Sequence, residues 1–122
     1  MKAIVVEKND SNFILIQAYL EKINAKAIRV DNLLDIIEII KKQDIDMALI
    51  NTYKLENEDG IEITQKIKSI NPNLPVVIIS TNTFPNVIFN CYNAGCDDYL
   101  LKPFSFNHFY EVMEKLCCLD CI

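Results

Sequence analysis

Residues 75–80 read Pro75-Val76-Val77-Ile78-Ile79-Ser80. Four consecutive branched apolar residues, entered through a proline and left through a hydroxyl, fit a short strand buried on both faces. Upstream, Met47-Ala48-Leu49-Ile50 has the same character behind Asp46, and Ala3-Ile4-Val5-Val6 has it near the start. Helical stripes fill the intervals. Phe13, Ile16, Leu20 and Ile23 recur at helical spacing, with Asp10 or Ser11 placed to cap the start. Leu33, Ile36, Ile37 and Ile40 form a second stripe after a weaker strand at Ala27-Ile28-Arg29-Val30. A polar segment from Thr52 to Asp59 closes on Asp59-Gly60, and Ile63, Ile67 and Ile70 then mark a third helix that Asn71-Pro72 stops. Downstream, a fourth helix is expected over 85–94, although Asn86, Asn90 and Asn93 are poor helix formers. A fifth strand at Tyr99-Leu100-Leu101 precedes a fifth helix whose Phe106, Phe109, Val112, Met113 and Leu116 face inward. Five strands alternating with five helices predict an α/β domain: parallel strands, right-handed crossovers, and helices on both faces.

The 122 residues suit a single domain spanning 1–122, with 51% apolar and 24% charged residues. No run approaches the length of a membrane span, and the first apolar stretch meets Glu7 too soon for a signal peptide. A cytoplasmic location is the expectation. A net charge of −5 argues against direct binding to nucleic-acid backbones. Of the five cysteines, Cys118 and Cys121 have C-x-x-C spacing, but no second pair or nearby histidine completes a zinc set. Reduced thiols are expected. His108, the single histidine, is assigned to the surface of the fifth helix.

In an open parallel sheet, ligand sites form at the carboxyl ends of the strands. Those ends carry Glu7, Lys8 and Asn9, then Asn51 and Thr52, then Ser80 and Thr81, and finally Lys102-Pro103. An acid, two lysines, a carboxamide and hydroxyls thus converge on one cleft. Spacing alone leaves equal room for a second reading, in which strand ends are polar because they meet solvent.

Gly95-Cys96-Asp97-Asp98-Tyr99-Leu100-Leu101-Lys102-Pro103-Phe104 resembles the fifth-strand signature of the receiver domains of two-component response regulators. Ile4 to Glu7 is similar to that family's first strand and acidic turn, Asp46 to Asn51 to the strand presenting its phosphate acceptor, Asp59-Gly60 to the turn into helix three, and Pro75 to Ser80 to strand four. The resemblance covers essentially the whole chain and is chemotaxis-receiver-like. It implies a flavodoxin-like doubly wound (βα)5 sandwich with strand order 2-1-3-4-5, phosphorelay signal transduction, and a cis Lys102–Pro103 peptide. It also implies roles: two acids after strand one help hold Mg²⁺, an aspartate ending strand three takes the phosphoryl group, and a hydroxyl and a lysine contact the phosphate. Glu7, Ser80 and Lys102 match three of these positions. Lys8 stands where the second acid belongs, Asn51 stands where the acceptor belongs, and the loop from Asn51 to Gly60 is one residue longer than usual and lacks its proline. Ser80 and Tyr99 match the pair that remodels the output face of helix four, strand five and helix five, a region that also carries Phe84, Phe89, Phe104, Phe106, Tyr110 and His108.

These departures set the chemistry. Acyl-phosphate formation needs an anionic carboxylate oxygen, whereas a carboxamide is neutral and presents an NH₂. Mg²⁺ favours hard anionic oxygens, so with Lys8 and Asn51 in place its binding is expected to be weak or absent, and no cofactor is expected. The reading is a pseudo-receiver whose degenerate phosphoacceptor site comprises Glu7, Lys8, Asn51, Ser80 and Lys102. It would act by protein–protein interaction through the helix four, strand five and helix five face, toward a histidine kinase, an output domain or a second copy. Within the cleft, Lys8 is expected to pair with Glu7 and Lys102 to donate to the Asn51 carboxamide oxygen. The alternative is a working phosphorelay receiver fed by a histidine kinase. Acceptors displaced to Glu56, Glu58 or Asp59 would sit in a loop with poor geometry. A hydrolase or a flavin protein is disfavoured, since no nucleophile–base pair is visible and only Gly60 and Gly95 are available for a phosphate loop.

Overall fold

The computed structural model describes residues 1–51 and 58–117. Five strands, β1 (Lys2–Val6), β2 (Lys26–Arg29), β3 (Met47–Asn51), β4 (Val76–Ser80) and β5 (Asp98–Leu101), alternate with five helices. The helices are α1 (Asp10–Lys22), α2 (Leu33–Lys42), α3 (Glu58–Ile70), α4 (Pro85–Asn93) and α5 (Phe106–Cys117). All strand pairings are parallel and the order is β2-β1-β3-β4-β5, the flavodoxin-like order the resemblance implied.

The sheet separates two apolar layers because successive residues of a strand point to opposite faces. Ala3, Val5, Met47, Leu49, Val77, Ile79 and Leu100 face α1 and α5, whose Ile16, Leu20, Phe109, Val112 and Met113 are buried against them. Ile4, Val6, Ala48, Ile50, Val76 and Ile78 face the other way, toward Ile36 of α2, Ile67 of α3 and Cys91 of α4. Strands β3 and β4 are buried along their whole length, as their unbroken apolar runs require, while β2 and β5 are only partly covered at the edges.

Helix ends depart from the sequence expectation in two places. The cap of α1 is Asn9, not Asp10 or Ser11: its side-chain oxygen accepts from the Asn12 N–H at 2.9 Å, so Asp10 already lies in the first turn. Helix α3 begins at Glu58, which puts Asp59 and Gly60 inside its first turn instead of in a turn before it. The polar segment 52–57 lies outside the described residues, as do Cys118 and Cys121. Helix α4 forms despite its asparagines because both ends are specified. Pro85 opens it, and at its close Cys96 N–H donates to the Cys91 carbonyl and Gly95 N–H to the Tyr92 carbonyl, a Schellman closure. That closure needs Gly95 at φ +112°, where an L side chain is strained, and an added Cβ would lie 3.2 Å from Lys68 Cγ. Cys91 and Cys96 are both buried there and are not joined in a disulfide. No described helix is long and apolar enough to cross a membrane.

Candidate functional site at the carboxyl edge of the sheet

The register brings the strand ends together. Val6 pairs with Ile50, so Glu7 comes level with Asn51; Asn51 in turn pairs with Ile79, and Ser80 with Leu101. Lys102 follows directly, its N–H donating to the Ser80 carbonyl at 2.9 Å, and its bond to Pro103 is cis. Glu7, Asn51 and Ser80 are all buried, whereas Lys8 is exposed.

Glu7 is the anchor of the cleft. Its carboxylate accepts from the Asn9 N–H at 3.1 Å and lies 3.9 Å from the Lys102 ammonium. Because β1 and β5 are separated by β3 and β4 in the sheet, this ion pair spans the ends of both intervening strands. Burial pulls the Lys102 amine below its ordinary value, and the charge on Glu7 pulls it partly back. The Arg29 side chain supports the turn from outside: Nε donates to the Glu7 backbone carbonyl at 2.9 Å, a terminal nitrogen pairs with Asp10 at 2.8 Å, and the guanidinium stacks 4.7 Å over Phe13. Lys8 shares a shallow basin with Asp10, Arg29 and Asp31.

The wiring thus differs from the expectation. Lys102 reaches Glu7, while neither Oδ1 nor Nδ2 of Asn51 has a hydrogen-bond partner among the described residues. The donor set also fails to fit a magnesium ion. Of the three positions at issue, only Glu7 offers an anionic oxygen, Asn51 offers a neutral one, and Lys8 brings a cation. No group of three or more His, Cys, Asp or Glu side chains among the described residues is placed to hold a metal.

Ser80 and Tyr99 meet at a residue that sequence reasoning missed. The Ser80 hydroxyl oxygen accepts from the Asn82 N–H at 3.0 Å, and the Tyr99 hydroxyl donates to the Asn82 carbonyl at 3.0 Å. The Asn82 side chain accepts from Phe84 N–H at 2.9 Å, directly before α4. The available signal was an asparagine two residues after the strand-end hydroxyl and three before Pro85, a pattern suited to an Asx turn. Tyr99 is therefore tied to the β4–α4 connection.

A model of the response regulator receiver domain matches residues 3–114. The chain belongs to this family. Among curated relatives, the receiver is 28% identical over 104 residues to the transcriptional regulatory protein ZraR of Klebsiella oxytoca, covering 85% of this chain and 23% of that protein. It is also 28% identical over 119 residues to the sensor histidine kinase GacS of Pseudomonas protegens, covering 93% of this chain and 13% of the kinase. The receiver thus spans less than a quarter of either relative, one a regulator and one a kinase. Among solved structures, the receiver domain of a sensor histidine kinase from Pseudomonas aeruginosa PAO1, described with a magnesium ion coordinated in its active site cleft, superposes with a TM-score of 0.81. That pair is 22% identical and covers 96% of this receiver and 97% of the other chain.

Proposed function

We propose that this receiver signals by binding and not by carrying phosphate on Asn51. The observation that carries the reading is the residue at the end of β3: a buried carboxamide stands level with Glu7 where the family resemblance puts the acceptor carboxylate. A neutral amide cannot supply the anionic nucleophile of an acyl phosphate. The Glu7–Lys102 pair places a protein cation against the remaining acid, so counter-charge is present without a metal. On this reading Glu7, Lys8, Asn51, Ser80 and Lys102 form a degenerate site, Ser80 and Tyr99 act on α4 through Asn82, and residues 1–122 act as one module. Its partner is a protein, a histidine kinase or an output domain, met through the face of α4, β5 and α5.

The alternative, a working phosphorelay receiver, draws on Glu7, Ser80 and Lys102, which keep their strand-end positions. Incubation with acetyl phosphate and Mg²⁺ followed by intact-mass measurement separates the two. The expected result is an unmodified chain, with amide spectra unmoved by Mg²⁺ and beryllofluoride around Asn51, Ser80 and Lys102. A phosphoryl adduct, on any residue, would overturn the proposal in favour of the phosphorelay.

A further inference from the structure

The end of α4 brings two cysteines together. In the closure that stops the helix, Cys96 N–H donates to the Cys91 carbonyl at 3.2 Å. That bond holds the two Cα atoms no more than about 7 Å apart, and less once the bends at nitrogen and oxygen are counted, against the roughly 4.4–6.8 Å that disulfides span. Side chains at these two positions of a Schellman closure commonly touch. Here both are turned into one apolar cluster, Cys91 with no exposed surface and Cys96 5% exposed, and they are not joined. Cys91 is also near enough to help raise the Cys96 thiol, which burial lifts most.

We propose that Cys91 and Cys96 form an oxidation site, at which hydrogen peroxide joins them in a disulfide that fixes the end of α4 covalently. The inference does not depend on how Asn51 is read. Cys96, the less buried of the two, meets the oxidant first. Its thiol gives up its proton and the sulfur attacks one peroxide oxygen; the O–O bond breaks, and the departing hydroxide takes up the proton as water. Cys91 then attacks the sulfur of the Cys96 sulfenic acid, the S–O bond breaks, and a second water leaves with the Cys91 proton. Two thiols lose two electrons, and one peroxide becomes two waters. Burial makes the first step slow. A thiol held at about 12 is almost wholly protonated at neutral pH, so the pair stays reduced until a small oxidant is abundant. The low exposure of both sulfurs favours peroxide over a bulky disulfide reagent. Location gives the product a consequence. Exposed Phe84, Phe89 and Tyr92 lie at α4, whose last turn closes through hydrogen bonds from Gly95 and Cys96. A disulfide there suppresses fraying at one end of that apolar patch.

The test treats the full chain with hydrogen peroxide, stops the reaction with catalase, blocks the remaining thiols in denaturant and maps the peptides. Cys117→Ser, Cys118→Ser and Cys121→Ser in one background keep those three thiols out of the product. The expected result is a Cys91–Cys96 crosslink with a mass loss of about 2 Da that dithiothreitol reverses. Amide exchange at Gly95 and Cys96 is expected to slow by about tenfold or more on oxidation. In Cys91→Ala, Cys96 is expected to stop at the sulfenic or sulfinic acid. The amide spectrum before and after oxidation reports folding. A Cys96 sulfinic acid beside an intact Cys91 thiol, thiols untouched by peroxide, loss of the folded spectrum on oxidation, or unchanged exchange at the end of α4 each overturns the inference.

Discussion

Glu7 has no exposed surface, so its charge must be met from within the protein, and the Lys102 ammonium at 3.9 Å and the Asn9 N–H at 3.1 Å are contacts that meet it. Removing one partner of such a pair is costly because the other stays buried and charged. Lys102 is partly reached by water, so the cost of Lys102→Met is set below that of a fully enclosed pair, at about 1–2 kcal/mol. Glu7→Gln in the same chain is expected to recover most of it, since no buried charge then remains. Urea unfolding of the two single variants and the double variant checks this, and additive losses would show that Glu7 and Lys102 do not depend on each other. The placement of Glu7, Asn51, Ser80 and Lys102 at neighbouring strand ends was legible in the sequence because strand ends follow from the apolar runs. Their wiring was not. Whether Lys102 reaches Asn51 or Glu7 depends on side-chain reach across a twisted sheet, which no spacing encodes. Asn82 was missed for a related reason: its role comes from two main-chain groups meeting Ser80 and Tyr99, and main-chain groups leave no mark in a sequence pattern.

Elements were more legible than their joints. Strands β1, β3 and β4 are continuous apolar runs, and the stripes of α1 and α5 bury most of the residues their spacing selects, whereas of those selected on α2 and α3 only Ile36 and Ile67 are fully buried. The start of α3 was misplaced because Glu58, Asp59 and Gly60 lack a periodic apolar residue, so the sequence shows only polarity there. Helix α4 was the least certain from propensity, and its structure explains why propensity was a poor guide: Pro85 and the Gly95 closure fix its ends. That closure also buries Cys96, and burial together with nearby Cys91, Asp97 and Asp98 pushes its thiol from the ordinary 9.0 up to about 12. Folded protein therefore keeps a proton that unfolded protein releases once pH passes 9, and stability from this group is lost as pH rises from there toward 12. Tyr92, raised from 10.0 to about 12 chiefly by burial, opens the same kind of window one unit later. Between pH 9 and 10, stability attributable to Cys96 should fall by about 1 kcal/mol, and Cys96→Ala should remove that fall while leaving the loss above pH 10. Thermal or urea unfolding from pH 8 to 11 reads both, and a variant curve parallel to the parent between 9 and 10 would refute the assignment.

At the scale of the molecule, the aromatic residues fall into two groups that differ in burial. On the α1–α5 layer Tyr19 meets Phe104 and Phe106 edge-on and Phe109 at a tilt, Phe104 and Phe106 stack on Phe109, Tyr110 lies against Phe106, and Lys22 caps Phe106 at 4.5 Å. Phe84 and Phe89, by contrast, are 58% and 66% exposed at the start and on the surface of α4, with Tyr92 also exposed. Among the described residues the exposed Phe and Tyr side chains thus lie at α4, while exposed aliphatic residues also occur on α1 (Ile14, Leu15) and α2 (Leu34), and most of the α5 aromatics serve the core. The α4 patch is also joined to the strand ends by hydrogen bonds, since Ser80 and Tyr99 both bond the main chain of Asn82 and the Asn82 side chain accepts from the N–H of Phe84. A residue kept for binding and a residue kept for packing give opposite results on deletion. Phe109→Ala, at a fully buried position, is expected to cost about 3–5 kcal/mol. The pair Phe84→Ser and Phe89→Ser is expected to change stability by no more than about 0.5 kcal/mol each, and in self-association or partner binding it should remove the interaction while the fold persists. Urea unfolding and sedimentation velocity on the same samples separate the two effects. Should the α4 pair prove as costly to stability as Phe109, the patch would be packing surface, and the coupling through Asn82 would have no exposed face to act on.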